Sequence, residues 1–171
     1  MNKIGLYTKK VMEHFQHPHN YGRMEKPDGI GKAGNIQCGD VMWLYIKVRK
    51  DRKRREIIKD ISFETFGCVA ALATSSVITD LAKGKTLKEA LKITKDKVIK
   101  SLGGLPPIKL HCSVLAADVL AEAIYDYLAK NKKEISRELK ERHLRLKKEK
   151  KEIKKRYQDW TKIEEKIHKE K

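Results

Sequence analysis

The sequence predicts an α+β fold, in which a small antiparallel three-stranded sheet is packed by helices and followed by a long charged C-terminal helix. Two observations predict this fold. Stretches that alternate as strands do lie before residue 67, whereas most stretches with helical spacing follow them. Strands followed by helices are typical of a sheet that helices cover on one face. The residues from 131 onward contain no Gly or Pro and are rich in helix formers, which predicts the terminal helix.

The first element is predicted to be a helix over residues 6–16. Leu6, Val11 and Phe15 lie near one face, and Pro18 ends the segment because a proline cannot continue a helix. Residues 20–32 are rich in Gly, Pro and charged residues, so we predict a loop there.

Three strands are predicted next, over residues 33–37, 41–49 and 56–66. The second strand alternates between two largely apolar faces, with Val41, Trp43, Tyr45 and Lys47 on one and Leu44, Ile46 and Val48 on the other. A run of five charged residues at 51–55 separates the second and third strands and is predicted to form a hairpin loop.

Helices dominate after the strands. Their predicted ranges are 70–83, a short segment that begins at Leu87, 95–101 and 113–130. Thr86 and Glu89 have the spacing of a capping box, which starts the short helix. Gly84 and the Gly103-Gly104 pair are stop signals, because glycine readily ends a helix.

The C-terminal segment carries one apolar residue per heptad. These residues are Leu139, Leu146, Ile153, Trp160 and Ile167. The companion heptad positions are mostly charged, so the two-position seam of a coiled coil is missing. We therefore divide the chain into a domain over 1–130 and a basic helical extension over 131–171. We expect the extension to be dispensable for the function of the domain. A solvated and partly frayed helix, weak self-association and docking on a partner stay open as its arrangement.

The composition restricts the class of protein. Charged residues make up 37% of the 171 residues and the net charge is +17, which favours solubility and attracts acidic partners. The sequence shows neither a signal peptide nor a membrane-spanning apolar run. An odd number of cysteines without paired spacing argues against a secreted disulfide scaffold, so we expect a cytoplasmic protein.

The three cysteines are the candidate functional residues. Cys38 lies two residues before Asp40, Cys68 follows a glycine, and Cys112 follows His111. Thiolates, carboxylates and imidazoles are the ligands that hold zinc or iron–sulfur clusters. The spacings are too long for a zinc ribbon, so the tertiary fold must assemble any shared site. The alternative is that all three are buried structural thiols.

Local sequence supports a metal-binding role for these cysteines. Gly39 and Gly67 permit a close approach of the backbone to a metal. Cys68 and Cys112 are each predicted to precede a helix, whose N-terminus would lower the thiol pKa. Another group of candidate ligands, His14, His17 and His19, shows no further partner nearby in the sequence.

Four stretches together resemble a known family. They are Tyr7–Val11 with His17-Pro18 downstream, Gly34–Met42, Thr65–Cys68 and Leu105–Ser113. In this order they are similar to the IscU family of iron–sulfur cluster assembly scaffolds, which also forms the N-terminal domain of NifU proteins. The resemblance covers roughly residues 5–128, and the stretch from Leu105 to Ser113 is its most specific part.

The resemblance implies a scaffold and not a turnover enzyme. It implies that Cys38, Asp40, Cys68, His111 and Cys112 bind the cluster. The expected cargo is a 2Fe–2S cluster, with a 4Fe–4S cluster between two subunits, or zinc in the same site, as alternatives. Carboxylate and imidazole hold iron less firmly than thiolate, which suits a protein that must release its cluster.

The resemblance also implies partners. Sulfur arrives as persulfide from a pyridoxal-phosphate cysteine desulfurase, and Cys38, Cys68 and Cys112 all stay open as the first acceptor. A DnaK-type chaperone with its J-domain helper binds the segment Leu105, Pro106, Pro107, Ile108 and Lys109. Apo iron–sulfur proteins receive the cluster, and a homo-oligomer is a further expectation, whereas a membrane is not expected.

Two other functions are weighed against this one. The first is a zinc-dependent persulfide acceptor of the SufU type, which lacks the histidine and the Leu-Pro-Pro-Ile-Lys segment found here. The second is a basic nucleic-acid-binding protein, which the charge favours. The basic stretches lack the interleaved aromatic residues that stack on bases, so this function is the less favoured.

Overall fold

The computed structural model describes residues 3–35 and 39–156. The elements in chain order are β1 (Lys3–Ile4), β2 (Tyr7–Thr8), α1 (Lys9–Gln16), β3 (Gly29–Gly34), β4 (Val41–Lys50), β5 (Glu56–Phe66), α2 (Val69–Ala82), α3 (Leu87–Leu91), α4 (Lys95–Ser101), a 3-10 turn (Pro107–Lys109), α5 (Leu110–Lys130) and α6 (Arg137–Arg156). The predicted α+β class is confirmed.

The main sheet is antiparallel with strand order β3-β4-β5. A bulge between Lys47 and Val48 shifts the register, so that Val48 pairs with Ile58 and Lys47 with Asp60. The extra residue that a bulge places on one strand changes which side chains face inward. Ile58 and Ile61 are therefore both buried although they lie three residues apart.

The two apolar faces predicted for β4 are both buried, against different partners. Met42, Leu44 and Ile46 belong to the main core, which α2 and α5 complete. Trp43 and Tyr45 form a small second cluster with Val41, against which Met24 packs. The loop that follows α1 thus covers part of the sheet face that the helices leave free.

The segment before β4 differs from the prediction, because β3 begins at Gly29 and ends at Gly34. The glycines that indicated a loop instead let this strand lie directly on α5. A Cβ atom at Gly31 would be 2.0 Å from the Val119 carbonyl oxygen and 2.6 Å from the Ala123 nitrogen. Of the predicted strand over 33–37, residues 36 and 37 lie outside the described residues.

Two helices begin at positions other than those predicted. α1 begins at Lys9, because Thr8 caps it by accepting a hydrogen bond from the Val11 nitrogen at 3.1 Å. The preceding residues belong to a small β1-β2 ladder, and Leu6 is 65% exposed. α5 begins at Leu110 and not at Ser113, because the 3-10 turn leads directly into it.

The other helix signals are confirmed. α2 ends just before Gly84, which has a φ of +79°. At α3 both bonds of the capping box form, since the Thr86 hydroxyl accepts from the Glu89 nitrogen and the Glu89 carboxylate accepts from the Thr86 nitrogen. Among the described residues, no helix is both long and apolar enough to cross a membrane.

The extension helix α6 packs on its own chain. Its stripe residues Leu139, Leu146 and Ile153 are only 3%, 5% and 3% exposed, and the helix contacts α5 and β3. This tertiary contact within the chain supplies the stability that the narrow stripe by itself would not, so α6 is not the solvated helix that the sequence left open. Trp160 and Ile167 lie outside the described residues.

Polar contacts add to the apolar stripe of α6. Arg142 and Arg145 both donate to the nearly buried Asp118 carboxylate, at 2.7 and 3.2 Å. His143 pairs with Glu122 at 3.0 Å and stacks on Tyr125 with ring centroids 3.8 Å apart. These polar and aromatic partners of α6 lie on α5, so a stripe of one apolar residue per heptad is enough to dock the helix.

We expect Leu146→Ala to lower the free energy of unfolding by about 2–4 kcal/mol, since truncating a buried leucine removes apolar burial and leaves a cavity. Leu144, on the same helix, is 62% exposed and provides the matched control. Leu144→Ala should change the free energy of unfolding by less than about 0.5 kcal/mol, as is usual at the surface. Chemical denaturation measures both, and equal effects would show that α6 is not docked in solution.

Candidate metal-binding site

Three separate elements meet at one end of the sheet. Asp40 immediately precedes β4, Cys68 is the N-cap of α2, and Cys112 lies in the first turn of α5. The sequence indicated that Cys112 precedes its helix, but Cys112 lies within α5. Asp40 and Cys112 are buried, whereas Cys68 is partly exposed, so the group opens to solvent on the side of Cys68.

The distances in this group suit a shared ion. The Cys68 and Cys112 sulfurs are 3.9 Å apart, and Asp40 Oδ2 lies 3.5 Å from the first and 3.6 Å from the second. Two sulfurs that bind one tetrahedral zinc or iron at about 2.3 Å lie about 3.8 Å apart. The thiol pair thus already has the spacing that one tetrahedral ion requires.

His111 contributes an imidazole to the same place. The ligand atoms of Asp40, His111 and Cys112 all lie within 4.8 Å of one another. The His111 Nε2 atom is buried and has no hydrogen-bond partner among the described residues. Burying an unpaired polar atom costs free energy, and a bound metal is one of the partners that removes this cost.

Electrostatic interactions favour the thiolate form of Cys68. A hydrogen bond from the Cys112 thiol lowers the pKa of Cys68 to about 6, and the Ala71 N–H and the Lys109 charge act in the same direction. Burial and the Asp40 charge oppose this shift. The Cys68 charge in turn raises the pKa of Lys109. Cys68 is thus a ready ligand and nucleophile at neutral pH.

Both glycines beside the site occupy positions that disfavour a larger residue. Asp40 Oδ1 accepts a hydrogen bond from the Cys68 nitrogen at 3.2 Å. A Cβ atom at Gly67 would be 2.8 Å from the same oxygen, so a larger residue would displace the carboxylate and break this bond. Gly39 has a φ of +69°, a conformation that glycine adopts without strain.

Cys38 lies outside the described residues, so its place in the site stays a prediction. The residues on either side of it are close together: the Asn35 nitrogen donates to the Asp40 carbonyl at 2.9 Å, and the Gly39 nitrogen donates to the Asn35 carbonyl at 3.0 Å. These bonds hold Asn35 beside Gly39 and Asp40, and Asp40 contacts the thiol pair.

The segment from Leu105 to Lys109 lies beside the site. Pro106 is buried, whereas Pro107 and Ile108 are exposed, and Ile108 is 72% exposed. Sequence reasoning assigned Lys109 only to chaperone binding and did not foresee its pairing with Cys68. It also did not single out Tyr7 as a neighbour of the thiols. The pKa of Tyr7 is raised, first by burial and second by the charge of Cys68.

The histidines near α1 fall into two groups. His14 and His19 lie next to Asp80 of α2, and the ligand atoms of these three residues are within 4.8 Å of one another. His17 is exposed and is not part of this group. The sequence gave no sign of a further ligand here because Asp80 is sixty-one residues from His19 along the chain.

We expect alkylation of Cys68 by iodoacetamide to follow a pKa of about 6 in the metal-free protein, instead of the usual 9.0. Because only the thiolate reacts, the rate should be near its maximum at neutral pH and fall as the pH drops through about 6. Mass spectrometry of the Cys68 peptide after EDTA treatment measures this rate against pH. Lys109→Ala should move the midpoint upward, and a midpoint near 9 in the parent chain would contradict the prediction.

The fold and the site together define a class of protein. A small α+β domain that collects two thiols, a carboxylate and an imidazole at one end of its sheet is a domain suited to soft or borderline metal ions. Comparison with known proteins identifies the family within this class. The chain belongs to the NifU-like N-terminal domain family, whose model matches residues 6–134.

Individual relatives agree with this assignment. Over 128 residues the chain is 57% identical to the iron-sulfur cluster assembly scaffold protein IscU 1 of Archaeoglobus fulgidus, with 75% of this chain and 80% of that protein covered. It is 44% identical over 124 residues to the IscU scaffold protein of Aquifex aeolicus, with coverage of 72% and 77%.

A solved structure resembles the fold. The crystal structure of a putative iron-sulfur cluster assembly scaffold protein for the SUF system from Fervidobacterium islandicum AW-1 has a TM-score of 0.58. It covers 70% of this chain and 96% of its own at 23% identity. At this identity the likeness shows the fold alone.

Proposed function

We propose that this protein is a scaffold on which an iron–sulfur cluster is built from iron and desulfurase-derived sulfur and from which the cluster passes to apo-proteins. The grouping of Cys68 and Cys112 around Asp40, with the unpartnered His111 nitrogen beside them, carries this proposal. Relatives at 57% and 44% identity are named as scaffolds of this kind, which supports it.

The ligand residues have distinct roles in this proposal. Cys38, Cys68 and Cys112 hold iron through thiolate sulfur, which binds it firmly. Asp40 and His111 supply the weaker oxygen and nitrogen ligands, which leave first when an apo-protein presents its own thiolates. The cargo is a 2Fe–2S cluster, and the same donor set also suits zinc.

Sulfur delivery uses a thiolate of the site. The attacking sulfur of Cys68 takes the terminal sulfur of a persulfide on the cysteine desulfurase, and the desulfurase thiolate is the leaving group. An external reductant then supplies two electrons to convert the bound persulfide sulfur to sulfide. The partly exposed position of Cys68 and its pKa of about 6 favour it over the buried Cys112 for this step.

Partners and location follow from the same role. Ile108 stands out from the surface next to the site, where a DnaK-type chaperone with its J-domain helper would bind the segment from Leu105 to Lys109 and promote release. The protein acts in the cytoplasm as a scaffold and not as a turnover enzyme. Residues 1–130 carry every proposed ligand, and the extension, although it packs on α5 and β3, is dispensable for cluster assembly.

Anaerobic reconstitution tests this function. The protein, stripped of metal, is mixed with ferrous iron, cysteine, a reductant and a cysteine desulfurase, and iron, acid-labile sulfide and visible absorption are measured. Equal amounts of iron and sulfide, visible absorption, and transfer to apo-ferredoxin are expected. Persulfide on Cys68 together with tightly held zinc and no labile sulfide would instead identify a persulfide relay of the SufU type.

A further inference from the structure

A second group of metal-ligand side chains lies between α1 and α2. His14 comes from the last turn of α1, His19 from the loop after it, and Asp80 from α2. Their ligand atoms lie within 4.8 Å of one another. The side chains of His19 and Asp80 are 52% and 39% exposed, so an ion in solution can reach them.

Neighbouring groups orient the His14 and Asp80 side chains, and Asp80 in turn orients the His19 ring. The Ser76 hydroxyl lies 2.8 Å from His14 Nδ1 and also accepts a hydrogen bond from the His19 backbone nitrogen at 2.8 Å. The Asn20 amide donates to Asp80 Oδ1 at 3.2 Å, while Asp80 Oδ2 lies 2.6 Å from His19 Nδ1. Such partners fix the ring and carboxylate orientations of metal ligands, and their loss typically costs about 10–100-fold in metal affinity.

The two imidazole rings lie close together in a tilted arrangement. Their centroids are 4.8 Å apart and their planes are tilted by 56°, so they are not stacked face to face. If His14 donates through Nδ1 to the Ser76 hydroxyl, its Nε2 atom carries a free lone pair. Only a proton joins His19 to Asp80 at present, and a metal ion takes the place of that proton when it binds both.

We propose that His14, His19 and Asp80 form a second metal site, distinct from the thiol-containing site, that binds a divalent first-row transition-metal ion. Two imidazoles and one carboxylate suit Zn²⁺, Ni²⁺, Co²⁺ and Fe²⁺, whereas Mg²⁺ and Ca²⁺ require more oxygen ligands. Three protein ligands on an exposed surface leave coordination positions for water or for a ligand from a partner.

The two sites are too far apart to share an ion. Asp80 lies about three turns beyond the Cys68 cap on α2, a distance of about 18 Å along the helix axis. Metal in the second site is therefore separate from the cluster cargo. The net charge of +17 opposes the binding of cations, but charges beyond about 10 Å are screened at 0.1 M salt, so short-range chelation decides.

Titration of the full chain with Co²⁺ under anaerobic conditions, after EDTA treatment, tests the proposal. Cobalt in the thiol-containing site gives thiolate charge-transfer absorption, whereas cobalt held by imidazole and carboxylate does not. We expect a second equivalent of cobalt that lacks the thiolate bands. His19→Gln and Asp80→Asn should lose this second equivalent of cobalt and keep the thiolate bands. Cys112→Ser should weaken the thiolate bands and keep the second equivalent.

His17→Gln is the matched control, because it removes an exposed histidine from the same segment without touching the group. It should retain the second equivalent. Binding of a single equivalent by the parent chain, or undiminished binding by His19→Gln and Asp80→Asn, would overturn the proposal. A lower melting temperature of these variants with unchanged cobalt binding would assign the three residues to helix packing only.

A measurement on the unsubstituted protein covers the case in which the variants fold poorly. Zn²⁺ should shift the imidazole ¹⁵N resonances of His14 and His19 to values typical of ligated nitrogen and leave those of His17 unchanged. Mg²⁺ at the same concentration should shift none of them. Resonances of His14 and His19 that do not respond to Zn²⁺ would also overturn the proposal.

Discussion

Replacing Cys112 by serine should abolish cluster formation. Cys112 is fully buried between Cys68 and Asp40. Its sulfur lies 3.9 Å from the Cys68 sulfur and 3.6 Å from Asp40 Oδ2. Serine places a hard oxygen where iron requires soft sulfur, and Cys68, the other thiol of the described residues, is itself a proposed ligand. Iron retention after desalting should fall by at least about 100-fold, since losing even a partner of a ligand costs about 10–100-fold.

Anaerobic reconstitution followed by iron and sulfide analysis measures this effect. Val114→Ala is the matched control, because Val114 lies on the same helix and is 36% exposed. It should form the cluster as the parent does. Thermal unfolding of both variants separates the loss of a ligand from the loss of the fold. Cluster yield at the parent level in a folded Cys112→Ser protein would exclude Cys112 from the site.

Asp40→Ala should slow the transfer of a bound cluster by about 10-fold, because it removes the carboxylate that we propose as the labile ligand and leaves the thiolates in place. Asp40 Oδ2 faces both described sulfurs, so it is the oxygen that exchange would use first. Its charge also raises the pKa of Cys68. Without it the pKa of Cys68 should fall below about 6, which strengthens the thiolate as a ligand.

The measurement is the half-time of transfer to apo-ferredoxin, followed by circular dichroism in the visible range. Asp40→Asn is the conservative control. Its amide oxygen can still accept from the Cys68 nitrogen, as Asp40 Oδ1 does at 3.2 Å, but it carries no charge. We expect an intermediate half-time for it. Transfer by Asp40→Ala that equals or exceeds the parent rate would refute the role of the carboxylate as the labile ligand.

Elements with strong local signals were predictable from sequence. The alternation in β4, the capping box of Thr86 and Glu89, and the stop at Gly84 each depend on neighbouring residues only, and the structure confirms all three. Short-range hydrogen bonds and the period of apolar residues determine such elements before any tertiary contact forms.

Elements that depend on distant partners were not predictable in the same way. The glycines of β3 indicated a loop, because only the presence of Val119 and Ala123 of α5 shows why the strand needs them. The stripe of α6 looked too narrow to dock a helix. Asp118 and Glu122 on α5 supply the missing contacts, and nothing near α6 in the sequence points to them.

The sequence by itself determined the α+β class, the family and the types of ligand available, which are thiols with a carboxylate and an imidazole beside them. Only the tertiary structure decided which of these groups meet. Asp40 is separated by 28 residues from Cys68 and by 72 from Cys112, and the fold brings the residue before β4, the N-cap of α2 and the first turn of α5 together. The packing of α1 and the loop after it against α2 likewise brings Asp80 to His14 and His19. The physical reason is that ligand type is a property of each residue, whereas ligand distance is a property of the packed core.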